Sequence, residues 1–364
     1  MAPRLYINTE NIRNNIDFLK SQIRDSTKII AMVKANAYGC GMLEISHLLE
    51  KLGIQDFGVA LVSEGVKLRA SGIKSNILVT SQFLESDFEN IIKHNLSVSA
   101  SDIDMLNKLN IYAKSQNSKV KIHIKFDSGM GRLGFNENNI FDSIKEIKSS
   151  YDNILIDGIY THLSCADSDK EYSLYQLELF DKIIKVLKNI GYSFNYIHAL
   201  NSAGLIQFPN YQYTHVRSGI LIYGYSPNKL MNLRQIKPCL ILKAPIIQIN
   251  KIHQDSKISY GGSYIAKKGD TIATIQIGYA DGLPRVCSNK YSVFLRNQKC
   301  KIVGNICMDM CMIDISNLDI SPNIGDEVII FKDQDDIEDI ANITSTINYE
   351  IISRLSGRIE RILN

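Results

Sequence analysis

The sequence predicts a (β/α)8 TIM-type barrel followed by a C-terminal, mainly β domain. Three observations carry that expectation. Over the first 232 residues, short β-branched runs alternate with longer stretches of helical period, the pattern of parallel strands joined by helical crossovers. The strand-like runs number eight. From about residue 233 the helical stretches give way to closely spaced strands punctuated by Gly, Asp and Asn.

The eight runs lie near residues 28 to 33, 57 to 61, 76 to 80, 96 to 99, 119 to 126, 153 to 161, 196 to 200 and 214 to 222. Amphipathic segments separate them. NIRNNIDFLKSQI follows the N-cap candidate Thr9, DIDMLNKLNIYAKS follows Ser101, and EYSLYQLELFDKIIKVLKNIG stops at Gly191. The later runs LILKAPIIQIN, DTIATIQI, YSVFLRN, KCKIVGNI, MCMIDI and DEVIIF read as a second, all-β unit. The expected division is 1–232 and 233–364, with the first few residues packed on the β domain and Pro227 to Pro238 as the hinge.

At 364 residues and roughly 150 per domain, the chain can bury a large core. A net charge of +3 is too near balance for a dedicated nucleic-acid or membrane-surface binder. Seven cysteines, odd in number and mostly in apolar stretches, fit reduced buried thiols. With no signal-peptide pattern and no membrane-length apolar run, the expected location is the cytoplasm.

Functional groups of such a barrel sit at the carboxyl ends of its strands, where polar residues stand out against an apolar interior. Lys34 ends the first run; Lys125 ends the fifth, with Asp127 and Arg132 in the loop that follows. His162 follows the sixth, Asn201 and Ser202 the seventh, and Arg217 lies in the eighth. Any one of these has an ordinary rim or core reading, and a lysine can simply snorkel from a strand end. Together the cations point to an anionic ligand, with Ser202, Gly219 and Ile220 as phosphate donors after strands seven and eight. A lysine among like charges sheds its proton more readily, which makes Lys34 the candidate for imine chemistry.

Two rival motifs carry less. GMGRLG at 129 to 134, with Asp157 further on, has the form of a dinucleotide fingerprint, but it follows four earlier βα units and contains an Arg. Cys307 and Cys311 share a face if they lie on a strand, yet no second ligand pair follows, so a buried thiol pair fits better than a metal site.

Seven segments together resemble the alanine racemases, pyridoxal-phosphate enzymes built from a (β/α)8 barrel and a C-terminal β domain. They are AMVKANAYG (31 to 39), KFDSGMGRLGF (125 to 135), YTHLSCAD (160 to 167), ALNSAG (199 to 204), VRSGILIYG (216 to 224), IGYADGLPR (277 to 285) and ICMDM (306 to 310). The resemblance implies that Lys34 holds the cofactor covalently and serves as one base, with Tyr279 as the base on the opposite face of the substrate. It implies a phosphate held by Tyr38, Ser202, Gly219 and Ile220, with Asn201 beside them, and a pyridine nitrogen facing Arg217 backed by His162. Arg132 and the N–H of Met308 would meet the substrate carboxylate, and Lys125 matches a lysine that some members carry as a carbamate. Tyr279 and Met308 would come from a partner subunit, so the resemblance implies a homodimer with shared sites and D-alanine made for peptidoglycan; no metal is expected.

Two departures bear on specificity. Gly357 stands where the family usually has a tyrosine beside the substrate, and Asn305 where it usually has arginine. Serine racemases of the vancomycin-resistance type change the same tyrosine, so serine is the alternative substrate; they also carry a membrane domain, which does not occur in this sequence. The alternative of another class is a non-catalytic pyridoxal-phosphate-binding barrel, which would lack the second domain with Tyr279 and ICMDM.

Overall fold

A computed structural model describes residues 2–228, 231 and 233–364. Strand β1 (Arg4–Ile7) precedes a helix over Thr9–Ser21. Eight parallel strands then close a barrel: β2 (Lys28–Met32), β3 (Asp56–Val59), β4 (Asn76–Val79), β5 (Ser97–Ala100), β6 (Val120–Lys125), β7 (Ile154–Tyr160), β8 (Tyr196–His198) and β9 (His215–Ser218). Closure runs through β2 and β9, with Lys28 opposite His215 and Ala31 opposite Ser218. Each of the eight expected runs coincides with one of these strands, although the last ends at Ser218, where the chain turns toward Gly219.

Local signals set the crossover helices. Thr9 is not the first N-cap: Asn8 is, because its side-chain oxygen accepts from the N–H of Asn11 at 2.9 Å. Likewise Asp102 rather than Ser101 caps the helix Ile103–Ser115, accepting from Met105 N–H at 2.7 Å. The helix Lys170–Asn189 buries Leu177, Phe180, Ile183, Ile184 and Leu187 on one stripe and ends before Gly191, whose φ of 90° suits glycine.

The C-terminal part adds β10 (Leu240–Lys251), β11 (Ser256–Ile258), β12 (Tyr264–Ala266), β13 (Thr271–Ile275), β14 (Ser292–Leu295), β15 (Gln298–Lys301), β16 (Cys311–Asp314), β17 (Glu327–Phe331) and β18 (Glu360–Leu363). Its main sheet runs β15-β14-β17-β10-β1-β18, with β13 and β16 continuing from β10. β1 lies inside this sheet, antiparallel to β10 and parallel to β18. The unit is not all β: helices Gln334–Thr344 and Asn348–Ser353 lie between β17 and β18.

The expected boundary at Asn232, with part of the Pro227 to Pro238 stretch, lies outside the described residues. The described end of that stretch is packed rather than free. The Pro238 carbonyl accepts from Asn11 Nδ2 at 2.8 Å, and a Cβ on Gly224 would lie 1.8 Å from the Lys237 carbonyl oxygen. The barrel interior also departs from an apolar filling. Ser99, His123, Lys125, Tyr160, His198 and Arg217 are all buried.

Candidate active site

A cavity of about 290 Å³ opens at the carboxyl ends of the barrel strands, lined by Lys34, Tyr38, His162, Ser202, Arg217 and Gly219 among others. One wall begins with an unusual turn. Immediately after β2, Ala35, Asn36, Ala37 and Tyr38 all adopt left-handed backbone conformation, with φ between 52° and 55°. Left-handed helix costs roughly 1–2 kcal/mol per L-residue, so the surroundings must hold it. Glu64 does so from the barrel side, its carboxylate accepting Ala35 N–H at 2.7 Å; Asn36 Oδ1 accepts Met42 N–H at 2.9 Å. This fixes Lys34 at the mouth and turns Tyr38 inward, where its ring packs 4.9 Å from that of Tyr223.

The far wall suits an anion. A Cβ on Gly219 would lie 2.2 Å from the Tyr38 hydroxyl, so only glycine lets the phenol reach that backbone. Ser202 Oγ accepts the Gly219 N–H at 3.0 Å. In the first turn after β8, Asn201 Oδ1 accepts the Gly204 N–H at 2.8 Å and caps the turn that presents Ser202.

Arg217 forms the floor. Its Nη1 donates to His198 Nδ1 at 2.6 Å and to the His198 carbonyl at 3.2 Å. Its Nη2 donates to the Thr161 and Ala199 carbonyls at 2.8 and 2.9 Å and to His162 Nδ1 at 3.0 Å. The four Nη N–H groups are thereby spent, leaving Nε–H without a partner among the described residues. Burial lowers the Arg217 pKa only to about 10, so the group is cationic at neutral pH. His162 and His198 are held well below the ordinary histidine value by burial and then by Arg217, and both are neutral.

Lys34 is shifted down by burial and then by the charge of Arg132. Lys125, buried at the end of β6, is pushed down to about 7 by burial, then by Arg217 and Arg132. Arg132 stands on the loop after β6, and Asp127 shapes that loop. Its carboxylate accepts the N–H groups of Gly129, Met130, Gly131 and Arg132 at 2.7 to 3.2 Å. This disposes of the dinucleotide reading of GMGRLG: the amides that would cradle a pyrophosphate are occupied by the chain's own carboxylate. Asp157 lies away from it, on β7, paired with Lys121 and Asn195.

Residues 7–227 match the family model described as alanine racemase, N-terminal domain, and residues 239–363 that described as alanine racemase, C-terminal domain. An alanine racemase of Clostridium novyi is 37% identical over 365 residues, covering 98% of this chain and 94% of its own. The chain belongs to the alanine racemase family. A solved alanine racemase of Clostridium difficile superposes with a TM-score of 0.95 at 34% identity, covering 100% of this chain and 96% of its own. One of Bartonella henselae, described with covalently bound pyridoxal phosphate, does so at 0.89 and 27%, covering 100% of both chains.

Of the site residues expected from the sequence, Lys34, Tyr38, His162, Asn201, Ser202, Arg217, Gly219 and Ile220 line one cavity. Tyr279 and Met308 do not. They sit together in the C-terminal part, where the N–H groups of Tyr279 and Ala280 donate to the Cys307 and Met308 carbonyls at 3.0 Å. Both side chains face outward, 42% and 53% exposed. Gly357 and Asn305 are also outside the lining; Asn305 Nδ2 donates to the Tyr260 carbonyl at 2.6 Å. Cys307 precedes β16 and lies outside the strand, so it does not share a strand face with the buried Cys311. Sequence reasoning missed Tyr349 and Ser353, which line the cavity from the helix Asn348–Ser353. The only sequence signal was a short apolar-polar run, NYEIIS, inside a stretch read as strands and loops.

Proposed function

We propose that this chain racemises alanine with pyridoxal phosphate as cofactor, in a homodimer whose two sites each draw residues from both subunits. The observation that carries this reading is the meeting, in one cavity, of a lysine of lowered pKa, an anion cradle and an arginine with one N–H left over. The residues fit the cofactor. Tyr38, Ser202 and the backbone of Gly219 and Ile220 would hold its phosphate, with Asn201 setting the turn, and Lys34 would bind its carbonyl carbon.

Pyridoxal phosphate supplies, when bound, an electron sink that acidifies the bond between the substrate Cα and its hydrogen. Arg217 would tune that sink. A guanidinium donates and does not surrender its proton, so with the pyridine ring bound against Arg217 its Nε–H would leave the ring nitrogen unprotonated. Racemisation removes a proton from one face of Cα and returns one to the other, which requires two bases. Lys34 serves one face. Tyr279 serves the other, and its outward placement here fits delivery to a second subunit, with Met308 alongside to meet the substrate carboxylate with Arg132. Carbamylated, Lys125 would become an anion beside Arg132 and hold that guanidinium in place.

No helix of the described residues is long and apolar enough to cross a membrane. A cytoplasmic site, free cysteines and D-alanine supply to peptidoglycan complete the reading. A specific observation favours serine as second substrate: apart from its chain neighbours, no atom of the described residues would lie within 4 Å of a Cβ at Gly357. Measuring kcat/KM of the holoenzyme for L-alanine and L-serine tests both. Turnover of neither, with cofactor bound, leaves a binding barrel rather than a racemase.

A further inference from the structure

Below the cavity floor the polar groups continue into the barrel. His198 Nε2 lies 3.0 Å from His123 Nδ1, so Arg217, His198 and His123 form an unbroken line. All three are buried, at 4%, 0% and 2% exposure. The backbone is shaped to admit the last ring. The β6–β7 register slips between Ile122 and His123, setting His123 opposite Gly158, and a Cβ there would lie 2.9 Å from His123 Nδ1. Tyr160 stacks on His198 at 4.7 Å and 16°, closing the other side.

Proton positions in this line follow from Arg217 and from the neutrality of both rings. A guanidinium only donates, so His198 Nδ1 is a bare acceptor. Burial keeps His198 neutral and holds His123 down to about 3, so each ring carries one N–H. For His198 that N–H is on Nε2, and it donates to His123 Nδ1, which places the His123 proton on Nε2.

The geometry points to His123 as a positioning residue: by accepting from His198 it locks that ring in the tautomer that grips Arg217, and so keeps the leftover Nε–H of Arg217 in register with the cavity. The consequence for the reaction rests on the proposed function, in which that N–H meets the pyridine nitrogen. Without an acceptor at position 123, the His198 N–H is buried and unpaired, and the ring gains by rotating toward another partner. Arg217 then loses its 2.6 Å bond.

The test uses holoenzyme labelled with ¹⁵N-histidine, two-bond ¹H–¹⁵N correlation spectra, and the variants His123→Leu and His123→Asn. Wild type is expected to show His198 and His123 protonated on Nε2 alone. His123→Leu should change the His198 pattern and lower kcat about 10- to 100-fold with KM little altered, the scale of a small misplacement of a reacting group. His123→Asn, which keeps an acceptor close to the lost Nδ1, should recover most of both. A His198 protonated on Nδ1 in wild type overturns the proposal, and that measurement decides even if His123→Leu does not fold. So does a leucine variant with unchanged His198 signals and full kcat, or equal losses in both variants. An intact tautomer pattern in a holoenzyme that racemises no amino acid would sink the functional reading and leave this relay standing.

Discussion

Arg361 Nε donates to the carbonyl of Gly39 at 2.8 Å, tying the C-terminal strand to the end of the left-handed turn that begins after Lys34. The same guanidinium serves the Leu355, Ser356 and Ile359 carbonyls, and a Cβ on Gly39 would lie 2.1 Å from the Ile352 carbonyl oxygen. The strained turn is thus clamped between Glu64 and the C-terminal segment. Gly39, at φ 87°, has no room for a side chain and the wrong backbone for one. Gly39→Ala should lose at least about 3 kcal/mol of stability. Arg361→Met should lose about 2 kcal/mol, and Arg361→Lys, which cannot fork, should recover little of it. Urea unfolding measures each, and wild-type midpoints in all three would show that the clamp does not hold the turn.

Lys34→Ala should abolish racemisation and the visible absorption of bound cofactor together, because on the proposed function one amine does both jobs. Tyr279→Phe should retain the cofactor and lose at least about 100-fold in kcat. Sharing of sites makes a sharper test. Mixing the two dead variants under conditions that exchange subunits should restore about a quarter of wild-type activity, since half the dimers then contain one intact site. No recovery, with heterodimers demonstrated, would place both bases on the same chain.

Carbon dioxide adds to a neutral amine: the nitrogen bonds to carbon, one proton leaves, and a carbamate anion remains. With its pKa at about 7, Lys125 is neutral in a large share of molecules at neutral pH, and more so as pH rises. Incubation with ¹³C-bicarbonate should give a carbamate resonance that grows from pH 6 to pH 8, by about tenfold per unit below the pKa. It should be missing from Lys125→Ala. Without carbon dioxide, the unfolded chain keeps this proton up to the ordinary lysine value of 10.5, the folded chain only to about 7. The unfolded state binds more protons in that window, so this group's contribution to stability rises with pH from about 7 to 10.5 and is flat below. A carbamate signal that ignores pH, or that survives in Lys125→Ala, would reject the assignment.

The barrel was legible because each strand is a short β-branched run between helical stretches, and the cavity because strand ends carried Lys34, His162, Asn201 and Arg217. What escaped depended on contacts distant in sequence. Tyr349 and Ser353 reach the cavity because Ile352 packs on Gly39, more than 300 positions away. The caps at Asn8 and Asp102 were displaced by one residue, since neighbouring Thr9 and Ser101 offer the same chemistry and only backbone geometry chooses between them. The buried imidazoles were unreadable for another reason. A histidine inside a β-branched run looks like an interruption until the register sets it across from a glycine such as Gly158.

Under the proposed function, Gly357 bears on substrate size. The segment around it is firmly held. The Ser356 N–H donates to the Asp281 carbonyl at 3.1 Å, and Arg358 pairs with Asp281 at 3.3 Å and Asp309 at 2.7 Å. Asp281 lies two residues after Tyr279 and Asp309 directly follows Met308, so residue 357 is anchored to the loops that carry Tyr279 and Met308. Gly357 itself is exposed, its backbone lies outside the left-handed region, and the space around its Cβ is open. A tyrosine therefore fits without strain. By the resemblance, a tyrosine ring at this position would crowd the substrate side chain, and on the proposed function its loss would leave space for a hydroxymethyl group. Wild type should racemise serine with discrimination of only about 10- to 200-fold against it, the range that one added group in a pocket supports. Gly357→Tyr should lower kcat/KM for serine more than for alanine, while thermal unfolding stays at the wild-type midpoint. If wild type leaves serine untouched, or the tyrosine lowers both substrates equally, another side chain bounds the pocket and Gly357 plays no part in the choice.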